Sequence, residues 1–79
     1  MYTVYILKSQ KDGRSYVGYS SNLHQRLEAH NSGKVLSTRN RRPLNLLYKE
    51  EYATSSEAKA REKWWKSYRG RREMKKFFN

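Results

Sequence analysis

The chain has 79 residues, with 18 lysines and arginines against seven aspartates and glutamates, a formal net charge of +11 and no cysteine. The lack of cysteine excludes a disulfide framework and a thiolate zinc site, and no apolar run approaches the roughly 20 residues that span a bilayer. A field of this sign attracts polyanions, and nucleic acid is the usual one, although a merely soluble basic surface or a membrane-surface binder would carry the same charge.

The N-terminal segment is predicted to form a β-hairpin. The first residues, MYTVYILK, lack the charged region and the cleavage site of a signal peptide, so we expect a cytoplasmic protein. Residues Tyr2–Lys8 carry Tyr, Val and Ile at even spacing, which is a strand pattern. The turn Gln10–Gly13 contains Asp-Gly, a hairpin signal, and Ser15–Tyr19 returns as the second strand. A connection this short requires antiparallel pairing.

A helix is predicted after the hairpin. The residues 20–22 are all N-cap types, and Gly33 follows the expected helix end near Asn31 or Ser32. The helical period places Leu23, Leu27 and His30 on one face. The stretch 34–43 has no periodicity and contains four basic residues and no acid, so it is predicted to be a loop.

The second half of the chain is predicted to be a strand and two helices. Residues 44–52 (LNLLYKEEY) form the strand, and Thr54 and Glu57 have the spacing of a capping box. The helix that follows is expected to reach about Tyr68, where Gly70 breaks it. A short terminal helix over 71–78 then uses Met74, Phe77 and Phe78 as its apolar face. The chain is therefore predicted to be one α+β domain over residues 1–79, a small antiparallel three-stranded sheet flanked by helices in the order ββαβαα.

A carboxylate in the longer helix lies where an apolar residue is expected. Ala58, Glu62 and Trp65 fall on one face, so Glu62 interrupts an apolar stripe. In a purely structural role, Glu62 would lie at the edge of the stripe and pair with Lys59, Lys66 or Arg69. The functional interpretation makes it a site residue, and periodicity alone does not decide.

Two further sets of residues could carry chemistry. Arg26 and His30 are four apart on the first helix, and an arginine fork suits phosphate oxygens. Taken separately, an arginine is more often a solvated surface charge, and a histidine on an apolar face is more often a core residue. Tyr5 and Tyr16 are near cross-strand neighbours, and their hydroxyls could position or deprotonate a water, although a pKa near 10 makes tyrosine a poor base without a nearby cation. They could equally be ordinary sheet aromatics.

Taken together, these residues resemble the GIY-YIG nuclease superfamily, in particular its small stand-alone bacterial branch. Thr3-Val4-Tyr5, ten intervening residues and Tyr16-Val17-Gly18 are similar to the motif pair that names the superfamily, and Arg26 follows Gly18 by eight residues. The resemblance covers essentially the whole chain and also includes residues 30–34, Pro43 and the stretch from Glu57 to Glu62.

The resemblance implies roles for individual residues. Tyr5 and Tyr16 would line the site and orient or activate the attacking water, and Arg26 would stabilise negative charge on the phosphate. His30 would be a candidate base or proton relay. Glu62 would be the single protein ligand of a Mg²⁺ or Mn²⁺ ion, which fits the preference of Mg²⁺ for keeping several waters and substrate oxygens.

The resemblance also implies a substrate-binding surface, and the sequence departs from the family pattern at two positions. Substrate binding is assigned to Gly18, Tyr19, Lys34, Arg39, Arg41, Arg42 and Lys66, within a basic loop and a run 59–76 that has nine basic residues against two acidic ones. Thr3 replaces the first motif glycine, which matters little in a strand. Tyr19 replaces a lysine that several relatives carry, which removes a cation. The asparagine that some members carry after the glutamate has no clear counterpart, since Asn79 is terminal.

Three functions follow as expectations. The first is a metal-dependent endonuclease that cleaves DNA, and the candidate substrates include single-stranded and branched DNA. The second is a catalytically weak nucleic-acid-binding module of the same fold, and the third is an RNA- or ribosome-associated basic protein. Trp64 or Trp65, whichever is exposed, would stack a base unless both belong to the core. We expect a monomer whose partner is nucleic acid, with no protein partner and no membrane.

Overall fold

A three-stranded antiparallel sheet with helices on both faces organises the computed structural model, which describes residues 1–78; Asn79 lies outside the described residues. The strands are β1 (Tyr2–Ser9), β2 (Ser15–Ser20) and β3 (Leu44–Tyr52), in the spatial order β2-β1-β3. The helices are α1 (Leu23–Asn31), α2 (Ser55–Trp65) and α3 (Tyr68–Met74), with short 3₁₀ turns at Arg39–Arg41 and Lys75–Phe77. The predicted α+β class and the order ββαβαα are confirmed. No helix within residues 1–78 is long and apolar enough to cross a membrane.

Strand alternation divides the core into two parts. Val4 and Ile6 of β1 face α2 and α3, where they pack with Ala58 and Trp65. The alternate residues Tyr5 and Leu7 face α1 and pack with its leucines and with Leu44, in a second cluster. Because β1 is the central strand, it is buried on both faces, and it places Tyr5 beneath α1.

A β-bulge adapts β3 to the larger of the two clusters. Ile6 pairs with Tyr48 and Leu7 with Leu46, so Leu47 is the extra residue between them. Both Leu47 and Tyr48 therefore reach the cluster under α2 and α3. From Tyr48 onward the alternation continues and directs Glu50 and Tyr52 to the same face.

Local capping explains where two helices begin. The Asn22 side chain accepts a hydrogen bond from the backbone N–H of Gln25 at the start of α1. Thr54 and Glu57 form the predicted capping box at the start of α2, with each side chain bonded to the backbone of the other residue. Both helix starts are thus fixed by side chains that the sequence displays.

The predicted end of the second helix was wrong. α2 ends at Trp65, and Ser67 caps a separate helix, α3, that contains Gly70 within its first turn. Gly70 is buried, and a Cβ built on it would lie 2.5 Å from Cα of Trp65. The glycine therefore allows α3 to pack against the end of α2 and does not break a helix. The expected apolar role of Met74, Phe77 and Phe78 is confirmed, since all three pack in the cluster beneath these helices.

Candidate active site

Two tyrosines from neighbouring strands lie side by side on the α1 face of the sheet. Tyr5 pairs with Gly18 across the hairpin, and Tyr16 pairs with Leu7, so the tyrosines are diagonal neighbours. Their ring centroids are 6.5 Å apart. Tyr5 is buried, whereas Tyr16 is half-buried and closer to solvent. The sheet thus provides one inner and one outer hydroxyl.

Gly18 makes room for the Tyr5 side chain. A Cβ built on Gly18 would lie 2.6 Å from the Tyr5 hydroxyl oxygen and 2.8 Å from Cζ. These separations are much shorter than van der Waals contact, so a side chain at this position would displace the Tyr5 ring. The position therefore requires glycine because any larger residue there would collide with Tyr5.

His30 is fully buried against both tyrosines. Its Nε2 lies 3.0 Å from the Tyr5 hydroxyl, its Nδ1 lies 2.8 Å from the Thr38 hydroxyl, and its ring meets Tyr16 edge-on at 4.9 Å. Burial, together with the nearby positive charge of Arg26, lowers the pKa of His30 to about 4. The imidazole is therefore neutral at pH 7, which makes it a weak base.

The neutral state of His30 couples the hydroxyls on its two sides. A neutral imidazole has one N–H donor and one acceptor nitrogen. If Thr38 donates to Nδ1, then Nε2–H donates to the Tyr5 oxygen and the Tyr5 proton is free to point elsewhere. If Tyr5 donates to Nε2, then Nδ1–H donates to Thr38. Thr38 is fully buried, so its hydroxyl position is well defined.

Arg26 brings a positive charge to the tyrosine hydroxyls. It lies one turn before His30 on α1, and the neighbouring Tyr5 raises the pKa of its guanidinium, with a smaller contribution from Tyr16. Burial raises the pKa of Tyr5, and Arg26 opposes this shift without overcoming it. At neutral pH the site therefore has a charged arginine beside a protonated Tyr5.

Glu62 lies on α2, in the layer on the opposite side of the sheet from α1. Its negative charge is the smallest of the influences that raise the pKa of Tyr5, after burial and Tyr16. Its neighbours on the helix face, Ala58 and Trp65, are buried, but the Glu62 side chain is 22% exposed. Lys66 Nζ lies 3.6 Å from one carboxylate oxygen, so one of the ion-pair partners expected from the sequence is present. That distance is too long for a full hydrogen bond, and the carboxylate keeps free coordination sites.

Most other carboxylates within residues 1–78 are occupied by structural contacts. Glu50 is the clearest case, because it accepts hydrogen bonds at 2.7–3.0 Å from Tyr48, Tyr52, Arg61 and Trp65. These donors lower the pKa of Glu50 against the opposing effect of its burial, which is the largest single contribution. Glu50 therefore joins β3 to α2 and is not available to bind an ion.

The donor set around Glu62 limits the kind of metal that fits. No group of three or more His, Cys, Asp or Glu side chains in the described part of the chain could hold an ion. A transition metal that needs several nitrogen or sulfur ligands is therefore poorly matched. A hard divalent cation that keeps its waters and takes other ligands from a phosphate needs only one carboxylate, and Glu62 supplies it.

The residues assigned to substrate binding lie in different environments. Gly18 and Lys66 adjoin the site, whereas Tyr19 packs in the cluster on the far face of the sheet. In the loop, Arg41 pairs with Asp12 at 3.0 Å and also bonds the Ser15 carbonyl. Arg42 bonds the Arg39 carbonyl, and the exposed Lys34 and Arg39 complete the set.

Two contributions to the site region were missed in the sequence. Thr38 lies in a loop without periodicity, and nothing local marks its contact with His30. Glu50 had a weak signal, because the alternation Tyr48-Glu50-Tyr52 places a carboxylate between two tyrosines on one strand face. Neither tryptophan side chain is fully exposed. Trp65 is buried, and the Arg61 guanidinium carbon lies 4.1 Å from the centroid of the Trp64 ring.

Comparison with known proteins identifies the family of this chain. A family model described as the GIY-YIG catalytic domain matches residues 1–76. The chain belongs to the GIY-YIG family. This places it in the GIY-YIG nuclease superfamily, as its two tripeptide motifs predict.

Individual relatives agree with the family model. A UPF0213 protein of Staphylococcus epidermidis is 42% identical over 73 residues, which are 91% of this chain and 88% of the relative. A UPF0213 protein of Staphylococcus aureus is 41% identical over the same shares. The NMR structure of a UPF0213 protein from Bacillus halodurans aligns with a TM-score of 0.57 and 33% identity, covering 94% of this chain and 82% of that one. The GIY-YIG fold is therefore shared with a small-protein branch whose names specify no activity.

Proposed function

We propose that this protein is a divalent-metal-dependent endonuclease that hydrolyses phosphodiester bonds in DNA. The observation that carries the proposal is the environment of the Tyr5 hydroxyl. The buried His30 contacts it at 3.0 Å, Gly18 leaves room for it, and Arg26 brings a positive charge to it. A core tyrosine needs one hydrogen-bond partner for its hydroxyl, and here a cation acts on it as well.

Arg26 is suited to the charge that develops on phosphorus oxygens. Arg26 is exposed, and its guanidinium and the Tyr5 hydroxyl each shift the pKa of the other. A planar fork of donors held in this way would meet a phosphate without first having to reorganise. We assign Arg26 to transition-state stabilisation.

The tyrosines are assigned to positioning the attacking water. Because the pKa of Tyr5 is raised, its hydroxyl is protonated and acts as a donor or acceptor and not as a free phenolate base. His30 and Thr38 fix the direction of that hydroxyl, and Tyr16 provides a second hydroxyl nearer to solvent. This arrangement would orient a water towards phosphorus for in-line attack.

Glu62 is assigned as the protein ligand of Mg²⁺ or Mn²⁺. A bound ion of this type would polarise the phosphate and stabilise the leaving oxygen as a Lewis acid. The partly exposed carboxylate of Glu62 would supply the protein's ligand to that ion. Lys66 beside it supplies a further positive charge for the substrate.

The alternative is a nucleic-acid-binding module of the same fold with weak catalysis. Two observations favour it: Lys66 neutralises part of the Glu62 charge, and Tyr19, in place of a lysine, packs its ring in the apolar cluster under α2 and α3. Labelled single-stranded, duplex and branched DNA, each incubated with Mg²⁺, with Mn²⁺ and with EDTA, would decide. Metal-dependent products support the endonuclease. Tight binding without products in any metal would favour the module.

A further inference from the structure

A cleft opens beside the candidate site, between β2 and the pair α2 and α3. Its volume is about 650 Å³, and Tyr16 and Lys66 line both the cleft and the site. The cleft therefore begins where the scissile phosphate would lie and continues towards α3.

The rim of the cleft is positively charged. Arg14, Lys66, Arg71 and Lys75 line it, and no carboxylate does. Of these four residues, only Lys66 forms an ion pair within residues 1–78. In contrast, Arg41 and Arg42 of the loop are tied to other groups. Arg14, Arg71 and Lys75 are thus free to meet a polyanion at this cleft.

The floor of the cleft is apolar and aromatic. Val17, Trp65 and Met74 form its buried part, and the half-buried rings of Tyr16 and Phe78 border it. A site for phosphates alone needs no such floor. Cations around exposed aromatic and apolar surface are typical of proteins that bind unpaired nucleotides, because phosphates meet the rim while bases meet the rings.

We propose that this cleft receives the unpaired nucleotides next to the scissile phosphate, so that the site acts on single-stranded or branched DNA in preference to continuous duplex. A duplex keeps its bases stacked inside and would offer only phosphates to the rim, which would leave the half-buried rings of Tyr16 and Phe78 uncovered. A single strand satisfies both surfaces. The preference for cleavage rests on the proposed nuclease function, whereas binding in the cleft does not.

Binding in EDTA tests the cleft separately from catalysis. Fluorescence anisotropy would compare a thymidine oligonucleotide, the same oligonucleotide with abasic sites at its centre, and a blunt duplex, over a range of salt. The double variant Arg71→Ala/Lys75→Ala should bind the single strand at least about fivefold more weakly and reduce the salt slope by about 1.4, two contacts at about 0.7 each. Duplex affinity should fall by a smaller factor than single-strand affinity, and Lys11→Ala, a control in the hairpin turn, should weaken both substrates by similar factors.

The aromatic border is tested with the abasic oligonucleotide. The wild-type protein should bind it several-fold more weakly than the intact strand, and Phe78→Leu, which keeps an apolar side chain in the core, should reduce that difference. Equal losses for single strand and duplex in the double variant, or no effect of the abasic sites, would overturn the proposal. Cleft binding without metal-dependent cleavage would instead refute the nuclease function and leave the cleft assignment standing.

Discussion

The hydroxyl of Tyr5 lies 3.0 Å from Nε2 of His30, a residue 25 positions away in sequence. Both side chains are fully buried, and the contact joins the central strand to α1. Thr38 holds the other ring nitrogen at 2.8 Å. A neutral histidine bonded on both sides can orient the tyrosine hydroxyl, and we propose that His30 positions Tyr5 at the candidate site; its role as a base or proton relay stays a prediction.

The buried state of His30 predicts a specific dependence of stability on pH. The pKa of His30 falls from 6.5 to about 4 on folding, so the unfolded chain takes up a proton first as the pH drops. The stabilisation is fully present above about pH 6.5 and is lost as the pH falls to about 4. A shift of this size corresponds to about 3 kcal/mol in the free energy of unfolding. Urea unfolding at a series of pH values measures it.

The two histidines of the chain provide a matched comparison. His30→Gln should flatten the stability profile between pH 6.5 and 4, whereas His24→Gln, at an exposed position of α1, should leave the profile unchanged. An NMR titration should also show a midpoint near 4 for the ring of His30. A flattened profile in His24→Gln alone would contradict the account.

The steric role of Gly18 predicts a selective defect. Gly18→Ala places a methyl group where the Tyr5 hydroxyl lies, so the ring must move away from His30 and Arg26. We expect a loss of cleavage of at least about tenfold, together with a destabilisation of about 1–3 kcal/mol from overpacking. Single-turnover kinetics and thermal melting measure both effects. A fully active Gly18→Ala protein would show that the position of Tyr5 is unimportant.

Glu50 and Glu51 are neighbours on β3 with opposite expected behaviour. Glu50→Gln removes the charge that accepts four hydrogen bonds, including one from Arg61, and should cost about 1–3 kcal/mol. Glu51 is exposed, and Glu51→Gln should change stability by no more than about 0.5 kcal/mol. Denaturant titration of the two variants compares them. Similar effects at both positions would show that the Glu50 network contributes little.

The features that could be predicted from the sequence are those encoded locally. The capping box of Thr54 and Glu57 and the alternation of β1 each involve residues within one short segment, so pattern alone was sufficient. Gly70 could not be interpreted in this way, because a glycine that ends a helix and a glycine that allows close packing look alike in sequence. Only the position of Trp65 against it distinguishes the two.

The candidate site shows the same division. Tyr5 and Tyr16 were placed near each other because a short hairpin determines their register. Thr38 was missed because its contact with His30 depends on how a nonperiodic loop folds under α1. Tyr19, which is predicted to contact substrate, packs its ring in the cluster under α2 and α3. Strand alternation places it on the opposite face of β2 from Tyr16 and Gly18, and its contact with substrate stays a prediction.

Arg26 is predicted to act on the rate of cleavage much more than on binding. One charge among 18 basic residues contributes little to the overall field. Loss of a donor aimed at developing charge can reduce a rate by about 10² or more. Arg26→Ala should therefore cut the single-turnover rate by that factor while changing affinity no more than Lys11→Ala does. Equal losses in rate and affinity would make Arg26 part of the binding surface only.

Replacement of Glu62 by glutamine tests the central claim most directly. Glutamine has the same shape and similar helix propensity, but its neutral amide attracts a divalent cation poorly. Metal-dependent cleavage by Glu62→Gln should fall below detection, its affinity for DNA should hold or rise because one negative charge is removed, and its melting temperature should match that of Glu51→Gln. Single-turnover cleavage in Mg²⁺ and Mn²⁺ is the deciding measurement. Retained metal-dependent cleavage by Glu62→Gln would contradict the account.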